Sequence, residues 1–304
     1  MARVIIGIHG LGNKPDPETL HAWWERSMIE GLNKNGYSAK LPKFEMVYWA
    51  DINYKSPMDK NIDDPHNPLF LDEKYTTSPP GFEAQDYPIR KKVVKYIGKL
   101  LYRIFLNEDL TLNYAFIPSY FIRKYFRELD VYFLDDCEAV DPHTCKVKER
   151  IKQRLLETLE KYKDDEILLV SHSMGSIVAF DVLSFMAKGL RVNTFVTIGS
   201  PLGMPMIISK VANQYKQNPR GKREMITPPC ICNKWINLYD ILDKITFSYS
   251  LGKRYKPNDY NIKPIDSEVI NDYHNAKGEH NPHKSYGYLR TKEFASLLND
   301  FIGG

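Results

Sequence analysis

Residues 167–178, Ile-Leu-Leu-Val-Ser-His-Ser-Met-Gly-Ser-Ile-Val, constrain the fold of this chain more than any others. A four-residue apolar run, Ile167 to Val170, enters S-x-S-x-G, and an apolar helical pattern from Gly175 to Lys188 follows at once. A short apolar run bounded this way reads as a buried strand, and the longer segment after it as a helix. A strand turning abruptly into a helix pushes the middle side chain, Ser173, out at the apex in a strained backbone conformation. Ser171 and Gly175 are small, as close approach of strand and helix requires, and Ser176 helps. The apex sits at a helix N-terminus, where unpaired N–H groups favour developing negative charge. S-x-S-x-G alone also describes a serine-rich turn with no chemistry, and the strand and helix around it give it weight.

The rest of the chain repeats this alternation, which specifies a mostly parallel sheet covered by helices, the α/β class. Val4 to Ile8 is the first strand, followed by His9-Gly10-Leu11-Gly12. Asp16-Pro17 then opens a helix, a cap followed by proline at the first helical position. Leu20, Trp23, Trp24, Ser27, Met28 and Leu32 form its apolar face, and Gly36 ends it. Phe44 to Trp49 is the second strand. Asp141-Pro142 leads a helix carrying Val147, Ile151, Leu155 and Leu159, and Gly189 closes the helix after the serine. Val192 to Ile198 is a strand running into Gly199-Ser200-Pro201, Trp235 to Tyr239 is the last clear strand, and Tyr286 to Phe301 is a final amphipathic helix.

Residues 51–130 break the rhythm. Prolines 57, 65, 68, 79, 80 and 88 exclude a regular strand or helix through the first half. From Arg90 to Arg127 the segment is aromatic and basic, with Lys or Arg at 90, 91, 92, 95, 99, 103, 123, 124 and 127 against Glu108 and Asp109. It reads as an insertion into a single domain spanning 1–304, either a cap or an amphipathic helix packed on the core. Val93, Val94, Tyr96, Ile97, Leu100, Leu101, Ile104 and Phe105 interleaved with basic residues also suit weak peripheral contact with anionic lipid through 90–127.

The strand–Ser-x-Ser-x-Gly–helix unit resembles the nucleophile elbow of the α/β-hydrolase superfamily, with serine in place of the first glycine of G-x-S-x-G. The likeness is to its serine esterases and lipases and spans 1–50 and 135–304. It implies an α/β-hydrolase fold lacking the two leading antiparallel strands, since the chain starts at the family's third strand. It also implies cleavage of a carboxylic ester through an acyl-enzyme, with no cofactor and no metal. The oxyanion would be held by the N–H of Met174, after the nucleophile, and by that of Leu11 in the His-Gly loop, where glycines let the backbone turn inward. The triad acid and base follow the serine in chain order. Asp243, followed by Lys-Ile-Thr, has the favoured D-x-[IV] context, with Asp240 the alternative and a capping or turn aspartate otherwise. His283 in His-Lys-Ser-Tyr286 resembles the H-x-x-Y element of lipase-like hydrolases and takes the role of base, with His280 the alternative. Gly199-Ser200-Pro201 resembles the family's G-S-P loop and otherwise serves as a strand-end turn. His9 and His172 read as structural or substrate-facing, and His274 and His280 as surface-loop residues.

Composition limits the alternatives. A chain of 304 residues, 43% hydrophobic and 26% charged, is of ordinary globular make-up. A net charge of +4 does not point to nucleic acid. No window approaches the ~18 consecutive apolar residues of a membrane span. The apolar N-terminal run is too short for a signal peptide, so a cytoplasmic location is expected. Cys137, Cys145, Cys230 and Cys232 lack zinc-site spacing and read as reduced, packed thiols. Fold does not fix substrate. A thioesterase, amidase or acyltransferase on the same triad, or a non-catalytic binding protein of this fold, are the competing functions.

Overall fold

A computed structural model of the chain describes residues 1–82, 89, 90, 92–94, 96, 110, 142–216, 224–246 and 250–303, with side chains undescribed at 142–146, 215 and 216. Most of the basic stretch 90–127, Cys137, the Cys145 side chain and the Asp141 cap therefore lie outside the described residues. Among the described residues one sheet is built from β1 (Arg3–Ile8), β2 (Lys43–Val47), β3 (Glu166–His172), β4 (Val192–Ile198), β5 (Ile231–Asp240) and β6 (Pro264–Val269). Its order is β2-β1-β3-β4-β5-β6, and every neighbouring pair is parallel.

Parallel pairing needs long crossovers. The helices are α1 (Pro17–Lys34), α2 (Ala50–Asn53), α3 (Pro142–Lys161), α4 (Met174–Asp181), α5 (Pro205–Lys216), α6 (Ser285–Leu289) and α7 (Lys292–Gly303). Period-2 alternation sorts the strand side chains onto two faces. Val4, Ile6, Ile8, Ile167 and Leu169 pack with Ile151, Leu155 and Leu159 of α3, Ile177 and Val178 of α4, and Ile207 and Val211 of α5. Ile5, Leu168, Val170 and Val196 pack with Leu20, Trp24, Met28 and Leu32 of α1, with Tyr286, Tyr288 and Leu289 of α6, and with Phe294 and Leu298 of α7. The α1 start is as the sequence specifies: Pro17 is its first residue, and the Asp16 carboxylate accepts the Thr19 N–H at 2.8 Å. No described helix is long and apolar enough to cross a membrane.

Four expectations need correction. Trp235 to Tyr239 is not the last strand, because β6 lies beyond it. As an edge strand opening on proline, with Ile265 exposed and polar residues between, β6 carries no apolar run to announce it. The segment after Ser173 is α-helical only to Asp181, then widens to a π-helix over Val182–Met186. The C-terminal helix is two helices, broken where Thr291 caps α7, its hydroxyl accepting the Phe294 N–H at 3.3 Å. Helix α5 follows Gly199-Ser200-Pro201, where the sequence pattern marks only a strand-end turn.

The strand order reverses between β1, which leads to β2, and β3, which leads onward to β6. Crevices at such a switch, beyond the carboxyl ends of the strands, are where open α/β sheets bind ligands. The loops after β1, β3, β4 and β5 all end at this edge of the sheet.

Candidate active site

Ser173 stands between β3 and α4 at φ 52° and ψ −125°. A serine there carries a backbone strain of ~1–3 kcal/mol, which neighbouring contacts must hold in place. Its N–H donates to the Ile198 carbonyl at 3.1 Å, and its own carbonyl accepts from the Ser176 hydroxyl at 2.6 Å and the Ser176 N–H at 2.9 Å. The small residues around it serve a purpose the sequence did not reveal. A Cβ at Gly175 would come within 2.6 Å of the His9 carbonyl oxygen, so Gly175 admits the end of β1, not only strand β3. A Cβ on Gly10 would meet the Ser173 Cβ at 2.7 Å, so the loop after β1 lies directly on the turn.

His283 reaches Ser173 from 110 positions along the chain: Nε2 lies 3.0 Å from the serine Oγ. On the other side its Nδ1 lies 2.8 Å from Oδ2 of Asp243, whose side chain is fully buried. With a carboxylate at Nδ1, that nitrogen carries the proton and Nε2 offers its lone pair to the serine hydroxyl. Asp243 opens the 3₁₀ turn Lys244–Thr246 after β5, and its Oδ1 accepts the Ile245 N–H at 2.8 Å.

The other candidates fall elsewhere. Asp240, at the end of β5, turns its carboxylate to backbone, accepting from Leu242 N–H at 2.6 Å and Asn271 N–H at 2.7 Å. Burial outweighs these bonds and raises its pKa. His280 is exposed, bonded to the Asn271 carbonyl at 2.7 Å and stacked on His274. His9 is buried and stacked on Trp49, its Nε2 accepting the Trp49 N–H at 3.0 Å while Nδ1 donates to the Gly10 carbonyl at 2.7 Å. Burial, then the charge of Lys14, holds its pKa well below 6.5, so it stays neutral. His172 is likewise held neutral by burial and then by His283, and its Nε2 lies 2.7 Å from the His283 carbonyl.

Three contributions escaped the sequence reading. Gly199, at φ 56°, presses on the histidine–aspartate pair, and a Cβ there would sit 3.1 Å from Asp243 Oδ2 and 3.2 Å from His283 Nδ1. The strand-end turn thus leaves the space the pair occupies. In H-x-x-Y the tyrosine is Tyr286, which packs in an aromatic cluster with Trp23, Tyr75 and Tyr273. The hydroxyl near the site belongs to Tyr288, which donates to Asp243 Oδ2 at 2.8 Å and accepts the Asp240 N–H at 3.0 Å. Burial, then the two aspartates, raises the Tyr288 pKa well above 10, so it is a neutral donor. Finally, part of 51–82 braces the histidine loop: Glu73 accepts from Lys284 at 2.8 Å and from the Asn281 amide. The Arg290 guanidinium joins the Thr76 carbonyl to Asp272. A side chain from a segment without periodicity leaves no pattern from which such pairing is read.

Among the described residues, no group of histidine, cysteine or acidic side chains is arranged to hold a metal ion. Cys230 is buried with its thiol pKa pushed up to about 12 by burial, as an inert packed thiol requires.

No protein-family model matches the chain, and no curated protein matches it. Among solved structures it is similar to one from Silicibacter sp. TM1040 described as a "putative thioesterase", at 15% identity and a TM-score of 0.27. The match covers 51% of this chain and 58% of that one, so this chain spans little more than half of that protein's length. A likeness that slight leaves the function to be argued from this chain's own residues.

Proposed function

We propose that this protein is a serine hydrolase of the α/β-hydrolase type, a single domain carrying 51–130 as an insertion, and that it cleaves a carboxylic ester through an acyl-enzyme. The observation that carries this reading is the relay Ser173 Oγ to His283 Nε2 at 3.0 Å and His283 Nδ1 to Asp243 Oδ2 at 2.8 Å, set on a positive-φ serine. A nucleophile within reach of a base, itself oriented by a third group, is the arrangement nucleophilic catalysis needs.

In this mechanism His283 Nε2 takes the Ser173 proton as Oγ bonds the ester carbonyl carbon. The carbonyl oxygen becomes an oxyanion, held by the Leu11 and Met174 N–H groups, each contributing ~3 kcal/mol. Asp243 stabilises the imidazolium without taking its proton. Collapse breaks the bond to the alcohol, whose oxygen receives the proton from Nε2. Water then gives a proton to His283 and attacks acyl-Ser173; the acid leaves as the proton returns to Oγ.

A fluorophosphonate probe tests this. The wild-type chain is expected to label at one serine, and Ser173→Ala to abolish the label while the thermal midpoint is unchanged. Failure of folded wild-type protein to react would leave the chain as a non-catalytic protein of this fold. A panel of acyl esters, thioesters and amides on the reactive enzyme then defines the bond cleaved.

A further inference from the structure

The carboxylate facing His283 is gripped twice by the C-terminal segment. His283 precedes α6 by two residues, and Tyr288 lies within α6. Both reach Oδ2 of Asp243, each at 2.8 Å. The remaining oxygen, Oδ1, is bonded within its own turn to the Ile245 N–H. The same Tyr288 hydroxyl accepts the Asp240 N–H, so one buried phenol ties the end of β5 to the acid three residues on. The hydroxyl proton is donated to the Asp243 carboxylate while an oxygen lone pair accepts the Asp240 amide. Tyr288 is fully buried, so water does not substitute for it.

Two donors on one carboxylate oxygen compete for its charge. A hydrogen bond from Tyr288 draws density off Oδ2 and weakens its hold on the histidine proton, and hydrogen bonding to a charged form is one of the things that sets proton affinities in a coupled pair. The phenol also fixes the oxygen's direction, so that Nδ1 meets it in line. These roles need no contact with substrate.

We propose that Tyr288 is a positioning residue of the Ser173–His283–Asp243 relay, orienting Asp243 and moderating the basicity of His283 through their shared oxygen. The proposal rests on the hydrolase reading above, but concerns a residue which that reading does not use.

The test is Tyr288→Phe, which keeps the ring and removes the hydroxyl. Expected is a loss in kcat of about tenfold, on the order of one hydrogen bond to a charged group, with KM little changed. The acidic limb of the kcat/KM profile should move to higher pH, because an Asp243 relieved of its second donor holds the imidazolium more strongly. The opposite variant replaces Tyr288 site-specifically by 3-fluorotyrosine. It keeps both hydrogen bonds, strengthens the donated one, and should move the limb to lower pH while the fold is preserved. This second arm stands if the unpaired Asp240 amide makes Tyr288→Phe unstable. A limb that stays in place in folded variants, whatever the kcat, would make Tyr288 a packing residue and overturn the proposal. The low-field proton resonance of His283 Nδ1–H, assigned by its loss in His283→Gln, is the readout independent of turnover. It should shift in both variants even if Ser173 proves unreactive, and a resonance unmoved in both would overturn the proposal. An absent fluorophosphonate label in wild type would instead count against the hydrolase reading alone.

Discussion

The loop after β1 and the loop before α6 both reach the turn at Ser173, and each carries a histidine. In the first, both nitrogens of His9 are committed to backbone: one accepts from Trp49, the other donates to Gly10, and the ring is stacked on Trp49. In the second, the nitrogens of His283 face a hydroxyl and a carboxylate, and the side chain is 28% exposed. The same residue type is thus a fixed pillar where its partners are peptides and, in the proposed mechanism, a proton carrier where they are Ser173 and Asp243. The two aspartates after β5 repeat the lesson. Asp240 binds two backbone amides, whereas Asp243, three residues on, presents an oxygen to the histidine. Residue type does not separate the members of either pair; hydrogen-bond partners do.

The comparison is sharpest between the two histidines. Replacing His283 by alanine should lower turnover by on the order of 10⁶, as loss of the base does in a serine triad. Replacing His9 by glutamine should cost no more than the ~10²–10³ of a misplaced oxyanion donor, together with ~1–3 kcal/mol of stability from unpaired buried groups. Steady-state rates and urea midpoints of both variants check this, and equal losses in turnover would erase the difference between the two histidines.

The aspartates are expected to divide in the same direction. Asp243→Asn should lower kcat by roughly 10⁴, since an amide favours the wrong histidine tautomer. Asp240→Asn should act mainly on stability, by ~1–3 kcal/mol, because its amide nitrogen would face the Leu242 or Asn271 N–H. A larger kinetic loss at Asp240 would make it the triad acid.

The smallest effect is on pH dependence. His9 and His172 are neutral in the fold, each with its pKa lowered below 6.5, by burial first. The unfolded chain binds protons at these residues near pH 6.5, whereas the folded chain does so only at lower pH. Their contribution is therefore present above that value and is lost as pH falls from it toward the folded pKa values. The slope is at most about 1.4 kcal/mol per pH unit for each histidine. Urea unfolding at pH 7, 6 and 5 measures it, and His9→Gln should flatten the dependence by one histidine's share. An unchanged slope would place the imidazole of His9 in water.

Much of this architecture was legible beforehand. The strand–turn–helix at Ser173, the cap of α1 and five of the six strands follow from periodicity and capping chemistry, which act within a few residues. The edge strand β6 was not legible, because a strand with one side of its ladder unpaired and a polar surface needs no apolar run. The break at Arg290–Thr291 was hidden because the apolar spacing continues through it. Of the site residues, Ser173 was fixed by its own local turn, whereas Asp243 over Asp240 and His283 over His280 were choices of motif context.

By itself, the sequence determined a parallel α/β sheet and an apical serine, because hydrophobic alternation and the steric demands of a tight turn are local properties of the chain. Which histidine meets that serine and which aspartate meets the histidine, that Gly199 must lack a side chain beside them, and that Tyr288 rather than Tyr286 touches the acid were decided by the tertiary structure. Those outcomes depend on contacts between residues 40 to 110 positions apart, and burial at such distances is set by how the β4, β5 and α6 loops converge, not by the residues flanking each side chain.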